Sequence, residues 1–282
     1  MHLGIFAKTF PRGTLTETLD AVVNHGLNWV QFNMVCVGLD SMPDEIDSSV
    51  IHYIKTQMES RGINIAAVSG TFNMIDPDEK KRTDGLRRLR ELAGNCRDFG
   101  VEVITLCTGS RDSEDKWRWH PDNDSKAAWK DLVHSMEVAL CIADEYDVVL
   151  AIEPEVTNVI SSPIKARQLL DEMKSSYLKV VIDGSNIFSS GDLERMHEVL
   201  DKAFEYIHDD IVIAHAKDLT RDGEAGNVAA GQGLLDYDHY IELLIRYGFD
   251  GPIILHGLEE SQVTESIAFM KDKLGIRAGF DM

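Results

Sequence analysis

The sequence has no apolar run near the roughly 18–20 residues that a bilayer-spanning helix needs. Its N-terminus, MHLGIFAKTF, lacks the basic start, apolar core and small-residue cleavage site of a signal peptide. It reads instead as a first strand, Leu3 to Ala7. Neither membrane insertion nor export is expected. Cysteine is sparse and scattered: Cys36, Cys96, Cys107 and Cys141 form no C-x-x-C pair. That argues against a zinc ribbon, a thioredoxin-like motif and a secreted disulfide framework, and makes a reducing cytoplasm the expected compartment. Positive charge is also short, with 28 Lys and Arg against 48 Asp and Glu for a formal net charge of −20. Nucleic-acid binding draws on counterion release by clustered Lys and Arg. The densest basic stretch, EKKRTDGLRRLRE at 79–91, is interleaved with acids and reads as the solvated face of a helix. A nucleic-acid partner is therefore not expected. There is no G-x-G-x-x-G after a strand, no P-loop and no G-x-S-x-G elbow.

What the chain does have is alternation. Short, β-branched apolar runs recur at Leu3–Ala7, Trp29–Phe32, Ile63–Val68, Val101–Leu106, Val148–Ile152, Lys179–Ile182, Ile211–Ala214 and Pro252–Leu255. Segments of helical period separate them, at about 14–25, 44–61, 79–99, 124–146, 161–174, 191–206 and 235–247, with an eighth at about 260–273. A glycine repeatedly stands between a helix and the next strand, as in HGLNWV, RGINIAAV, FGVEVITL and YGFDGPIIL, where a left-handed helix cap belongs. Ser162-Pro163 and Asp192 suit helix N-termini. No linker or low-complexity tract divides the 282 residues. The expected fold is α/β, a single (β/α)8 TIM barrel domain over residues 1–282, with a doubly wound sheet as the fallback.

In such barrels the chemistry sits where strands end and loops begin. The fifth strand ends in VVLAIEPEVTN, which presents Glu153 and Glu155. The sixth ends in KVVIDGSN, with Asp183 and then Asn186. The seventh runs into His215, Lys217 and Asp218, and the eighth into His256. With a period of two, Ala151, Glu153 and Glu155 share one face, as do Ile213, His215 and Lys217. A lone His or Asp at a strand end is more often a helix cap or a hydrogen-bonded surface group. Four successive strands delivering Glu, Asp and His to one rim have the oxygen-and-imidazole character of a divalent metal site, suited to Mn, Co, Zn, Fe or Mg. After the fourth strand, roughly 17 residues without regular period carry Trp117, Trp119 and His120. Loops of that length in compact domains are usually functional, so these three are expected to form a lid over a polar substrate; an aromatic plug is the plainer alternative.

The motifs AIEPE at 151–155, VVIDGSN at 180–186, AHAKD at 214–218 and GQGLLDYDHYIELLIRYGFDGPIIL at 231–255, in this order, resemble the xylose-isomerase-like barrel superfamily. That group includes sugar and sugar-phosphate isomerases and epimerases, inosose-processing enzymes and apurinic endonucleases. The first half of the chain agrees mainly in architecture. The resemblance implies metal ligation by Glu153, Asp183 and His215. In the family's epimerases a second metal-binding glutamate ends the eighth strand, and the two glutamates exchange protons with a substrate carbon. Here His256 stands at that position, and Asn186 replaces a substrate-contacting His. The endonuclease branch needs further His ligands after the third and fourth strands, where this chain has AVSGTF and TLCTGS.

The expected activity is metal-dependent isomerisation or epimerisation of a sugar, sugar phosphate or polyol through an enediolate. Glu153 serves as base, with Lys217 as electrostatic or proton-shuttling partner. Glu155, Asn186, Trp117, Trp119 and His120 are the expected substrate contacts, with Glu155 divided between orienting hydroxyls and a structural pair at the rim. Two alternatives stay open: dehydration of a keto-polyol, and a non-catalytic sugar-binding barrel. The sequence is compatible with a homo-oligomer without specifying one.

Overall fold

In the computed structural model, which describes residues 1–276, the apolar runs become a closed ring of parallel strands. These are β1 (His2–Phe6), β2 (Trp29–Phe32), β3 (Asn64–Ser69), β4 (Val103–Leu106), β5 (Val149–Ile152), β6 (Leu178–Asp183), β7 (Ile211–Asp218) and, last in the chain, β9 (Pro252–Leu255). Each of β1 to β6 pairs with its successor, β6 pairs with β7, β7 with β9 and β9 with β1, which closes the barrel. The helices α1 (Leu15–Asn24), α2 (Ser48–Glu59), α3 (Glu79–Cys96), α4 (Lys126–Tyr146), α5 (Pro163–Met173), α6 (Met196–Ile207), α7 (Tyr237–Arg246) and α8 (Val263–Lys273) follow the eight strands in turn. The expected (β/α)8 barrel is the observed one; residues 277–282 of the expected domain lie outside the described residues. Among the described residues no helix is long and apolar enough to cross a membrane.

The turns form where the glycines predicted them. Gly26, Gly62, Gly100 and Gly248 all take positive φ, between 62° and 77°, so each helix reverses into its strand without a Cβ clash. Boundaries shift by a few residues at most helices, as fraying ends do. The larger difference is β7. It continues through His215 and Ala216, which pair with β6 and β9, to Lys217 and Asp218, which pair antiparallel with a two-residue strand, β8 (Val228–Ala229). The polar end of the run reads as loop from hydropathy, but pairing with β6, β9 and β8 in turn supplies the backbone hydrogen bonds that keep it extended.

Two apolar layers hold the barrel. The large one lies between sheet and helices, from Leu19 and Ile54 through Leu132 and Leu169 to Leu244 and Met270. The small one fills the barrel itself: Phe6, Ala66, Ala67, Ala151, Val181, Ile213 and Ile254. Because side chains alternate along a strand, the residue two positions beyond an inward-facing plug residue also faces inward, one layer nearer the mouth. From Ala151, Val181, Ile213 and Ile254 that step reaches Glu153, Asp183, His215 and His256.

Candidate active site

The step from plug to rim delivers four donors to one place. Glu153, Asp183, His215 and His256 each present a ligand atom, and these atoms lie within 4.8 Å of one another. Two donors bound to one first-row ion at about 2.0–2.3 Å are at most about 4.6 Å apart, so an ion requires an inward adjustment of only a few tenths of an ångström. The nearest approaches are 3.4 Å between His215 Nδ1 and Glu153 Oε1, and 3.2 Å between His256 Nε2 and Asp183 Oδ2. The two imidazoles sit edge to face at 4.5 Å, and Phe6 packs against both. The donor set, two carboxylates and two imidazoles buried or half-buried on four strands, fits a divalent cation.

Three of the four donors are held from behind. Asp183 is fully buried; its Oδ1 accepts from Ser185 N at 2.9 Å and Ser185 Oγ at 2.7 Å, leaving Oδ2 for His256 and for Lys217 Nζ at 3.6 Å. Glu153 Oε1 accepts from Asn186 Nδ2 at 2.7 Å. The other nitrogen of His215, Nε2, lies 2.9 Å from Gln31 Oε1 on β2. Tyr240, on α7, donates to the backbone carbonyls of Ile182 and His215 and ties β6 to β7 directly beneath the site.

These surroundings set the charges. Burial opposes ionisation of Asp183, but Lys217 and His256 outweigh it and hold the carboxyl well below the usual carboxylate range. Burial likewise works against Glu153, and His215 and Lys217 outweigh it, so this carboxyl is also lowered. Glu155 goes the other way, since burial and the neighbouring Glu153 push it up to about 7. Burial, then Lys217 and His215, bring His256 down to about 4, so near neutral pH its imidazole is in the form a metal requires. Burial would discharge Lys217; Asp183, Glu153 and Glu155 reverse that and keep it an ammonium.

Above the ligands opens a cavity of about 350 Å³, whose wall includes Glu153, Glu155, His215, Lys217, His256 and Trp117. Lys217 pairs with Asp183 rather than with Asp218, which turns away to accept from the backbone nitrogens of Leu219, Gly231 and Leu235. Glu155 is buried in the wall and accepts from Thr157 and Asn158. Asn186 is fully buried, spanning Glu153 and the backbone N–H of Gly226, and does not line the cavity. Of the expected lid, Trp117 reaches the cavity. Trp119 does not line it and is 55% exposed, and His120 caps the 3-10 turn Pro121–Asp124 by accepting from Asp122 N. The sequence reading passed over Gln31, Ser69 and Thr105, which also line the cavity. Each lies two residues beyond an inward-facing residue of its own strand, Trp29, Ala67 or Val103, as Glu153 does beyond Ala151.

Comparison with known proteins agrees with this fold. Residues 19–273 match the family model described as xylose isomerase-like TIM barrel. The chain is 22% identical over 291 residues to L-ribulose-5-phosphate 3-epimerase UlaE of Salmonella paratyphi A, a match that covers 98% of this chain and 94% of the relative. Among solved structures it is similar to a D-tagatose 3-epimerase-like protein, with a TM-score of 0.76, 17% identity and 98% of each chain covered. It is similar also to the IOLI protein with a binding zinc atom, with a TM-score of 0.75, 18% identity and full coverage of both chains. With the barrel, the rim donors and a family match spanning most of its length, the chain belongs to the xylose isomerase-like TIM barrel family.

Proposed function

We propose that the protein is a divalent-metal-dependent isomerase or epimerase of a sugar, sugar phosphate or polyol, acting through an enediolate. The observation that carries this is the convergence of Glu153, Asp183, His215 and His256, of which Glu153, His215 and His256 line a cavity together with Lys217 and Glu155. The four donors would hold Mn, Co, Zn, Fe or Mg. A cation there supplies Lewis-acid charge to a carbonyl and neighbouring hydroxyl. Relatives named as epimerases of L-ribulose 5-phosphate and of the D-tagatose type support the reaction class.

The protein's own groups divide the remaining work. Glu153 Oε1 is fixed by Asn186, while Oε2, which accepts no side-chain hydrogen bond among the described residues, is the oxygen that takes the proton next to the carbonyl. Lys217, an ammonium inside the cavity wall, holds the negative charge that develops on substrate oxygen. Glu155 and Trp117 orient hydroxyls and sugar carbons from the wall, and Asn186 acts from behind Glu153. Trp119 and His120 shape the loop that carries Trp117.

Dehydration of a keto-polyol is the second reading, favoured by one observation: an imidazole, His256, ends β9 where a two-glutamate epimerase has a carboxylate. Both reactions begin by removing the same proton. The test is to incubate the metal-loaded protein with ketoses, ketose phosphates and inososes in D2O, following NMR and mass. Deuterium gained at the carbon next to the carbonyl without loss of water supports isomerisation or epimerisation. Loss of water selects dehydration. Metal binding without exchange in any substrate would leave a sugar-binding barrel.

A further inference from the structure

Beside the metal ligands, on the strands that carry none of them, lies a polar group of residues with no charge. Gln31 on β2, Ser69 on β3 and Thr105 on β4 are each at least 96% buried, and all three reach toward the barrel axis. Gln31 Nε2 donates to Thr105 Oγ1 at 2.9 Å and to Ser69 Oγ at 3.3 Å, and Gln31 Oε1 lies 2.9 Å from His215 Nε2. We propose that Gln31 is a positioning residue: held by Ser69 and Thr105, its amide keeps His215 as the Nε2–H tautomer and thereby offers Nδ1 to the metal.

The hydrogen-bond inventory decides the direction of the amide. Its nitrogen carries two hydrogens, and the two hydroxyl oxygens are two acceptors. Turned the other way, the nitrogen would face His215 with one hydrogen and lose Thr105 Oγ1 and Ser69 Oγ as acceptors for the second. An orphaned buried N–H costs more than a carbonyl that leaves one lone pair unused. With the oxygen facing His215, the ring must donate from Nε2, and its Nδ1 lone pair points to Glu153 Oε1, 3.4 Å away, within the four-donor cluster. In the other tautomer Nδ1–H would donate to that carboxylate and would have to lose its proton before binding an ion. Partners that hold the remote nitrogen of a ligating His typically affect metal affinity 10–100-fold.

The inference rests on His215 being a metal ligand, and its test separates the two claims. Protein labelled with 15N-histidine, stripped of metal and held near pH 7.5, reports the tautomer of each ring through long-range nitrogen–proton correlations. The His215 signals are identified by their loss in His215→Gln. The wild type should show Nε2–H; an Nδ1–H signal overturns the proposal without any metal present. Zn2+ and Mn2+ affinities are then measured by competition with a chromophoric chelator. Gln31→Met, of similar volume, should move His215 toward Nδ1–H and weaken binding about 10–100-fold. Gln31→Glu, which still accepts from Nε2–H, should restore the tautomer and most of the affinity. If Gln31→Met folds poorly, Thr105→Val removes one anchor of the amide and should shift the same signals in part. Unchanged tautomer and affinity in Gln31→Met, with only a raised KM for a turned-over sugar, would make Gln31 a substrate contact and overturn the proposal. A wild type that shows Nε2–H but retains no ion overturns the metal reading instead.

Discussion

Asp183→Asn should destabilise the metal-free protein by about 2–4 kcal/mol at pH 7. The structure assigns the loss to one side of the carboxylate. Oδ1 accepts from Ser185 N and Oγ, and an asparagine oxygen keeps both bonds. Oδ2 faces Lys217 Nζ at 3.6 Å and His256 Nε2 at 3.2 Å, and there the substitution puts an NH2 donor against an ammonium. Breaking a buried pair costs roughly 3–5 kcal/mol because the remaining charge is stranded. Lys217 is not fully stranded, since Glu153 and Glu155 also face it, so the estimate falls below that range. For a domain of this size about 1 kcal/mol corresponds to ~2–4 °C, which places the Tm drop at roughly 4–16 °C. Urea unfolding followed by circular dichroism in EDTA measures it, with an unchanged m-value. The pH dependence has a definite sign. Asp183 is depressed in the fold, so its stabilisation is complete above the unfolded carboxyl value of about 4 and fades as pH falls from there toward the lower folded value. The gap between wild type and variant should therefore narrow in acid, below the unfolded carboxyl value of about 4. A variant as stable as the wild type at pH 7 would refute the reasoning: repulsion among three carboxylates would then outweigh the attraction of Lys217 and His256.

His215→Ala should abolish retention of a divalent ion through gel filtration, read by elemental analysis, while the far-ultraviolet dichroism stays native because the plug residue Ile213 beneath is untouched. Glu153→Gln should lower solvent exchange at the substrate carbon by about 10²–10⁴-fold, the usual contribution of a positioned base; unchanged turnover removes Glu153 from that role. Gly85→Ala lies in the middle of α3, where the change normally stabilises a helix by up to about 1 kcal/mol. Here the new Cβ would collide with the Phe72 ring, so a net loss of about 1–3 kcal/mol in chemical denaturation is expected. Asp210→Ala removes the shared partner of Lys179 at 2.6 Å and Arg167 at 2.9 Å and should lower Tm, with a wild-type advantage that shrinks as pH falls through the depressed pKa of Asp210.

Much of the barrel was legible in the chain because its signals are local. β-branched runs, helical period and a glycine at each helix-to-strand reversal depend on a few neighbouring residues, and all eight strand–helix units read this way appear in the fold. The expected ligands were legible for a related reason. A parallel barrel points the C-terminal end of every strand to one rim, so a Glu, an Asp and two His that each follow an apolar run must share that rim.

Tertiary structure decided what depends on partners distant in sequence. Lys217 stands beside Asp218 in the chain but pairs with Asp183 across the β6–β7 register, while Asp218 faces backbone donors from a loop that returns to it. β7 stays extended at Lys217 and Asp218 because Val228 and Ala229 come back to pair with them. Asn186 is aimed at Glu153 rather than at the cavity, and of the two tryptophans only Trp117 lines the wall. Gln31 shows the division most directly. In the strand WVQF it is one polar residue among apolar ones, and nothing within reach along the chain gives it a partner. Its role appears when closure of the barrel brings His215, 184 positions away, to 2.9 Å from its oxygen. Sequence determines which faces are apolar and where strands end, because those follow from backbone geometry. Which polar atoms meet inside depends on closure and register, and these are properties of the whole barrel.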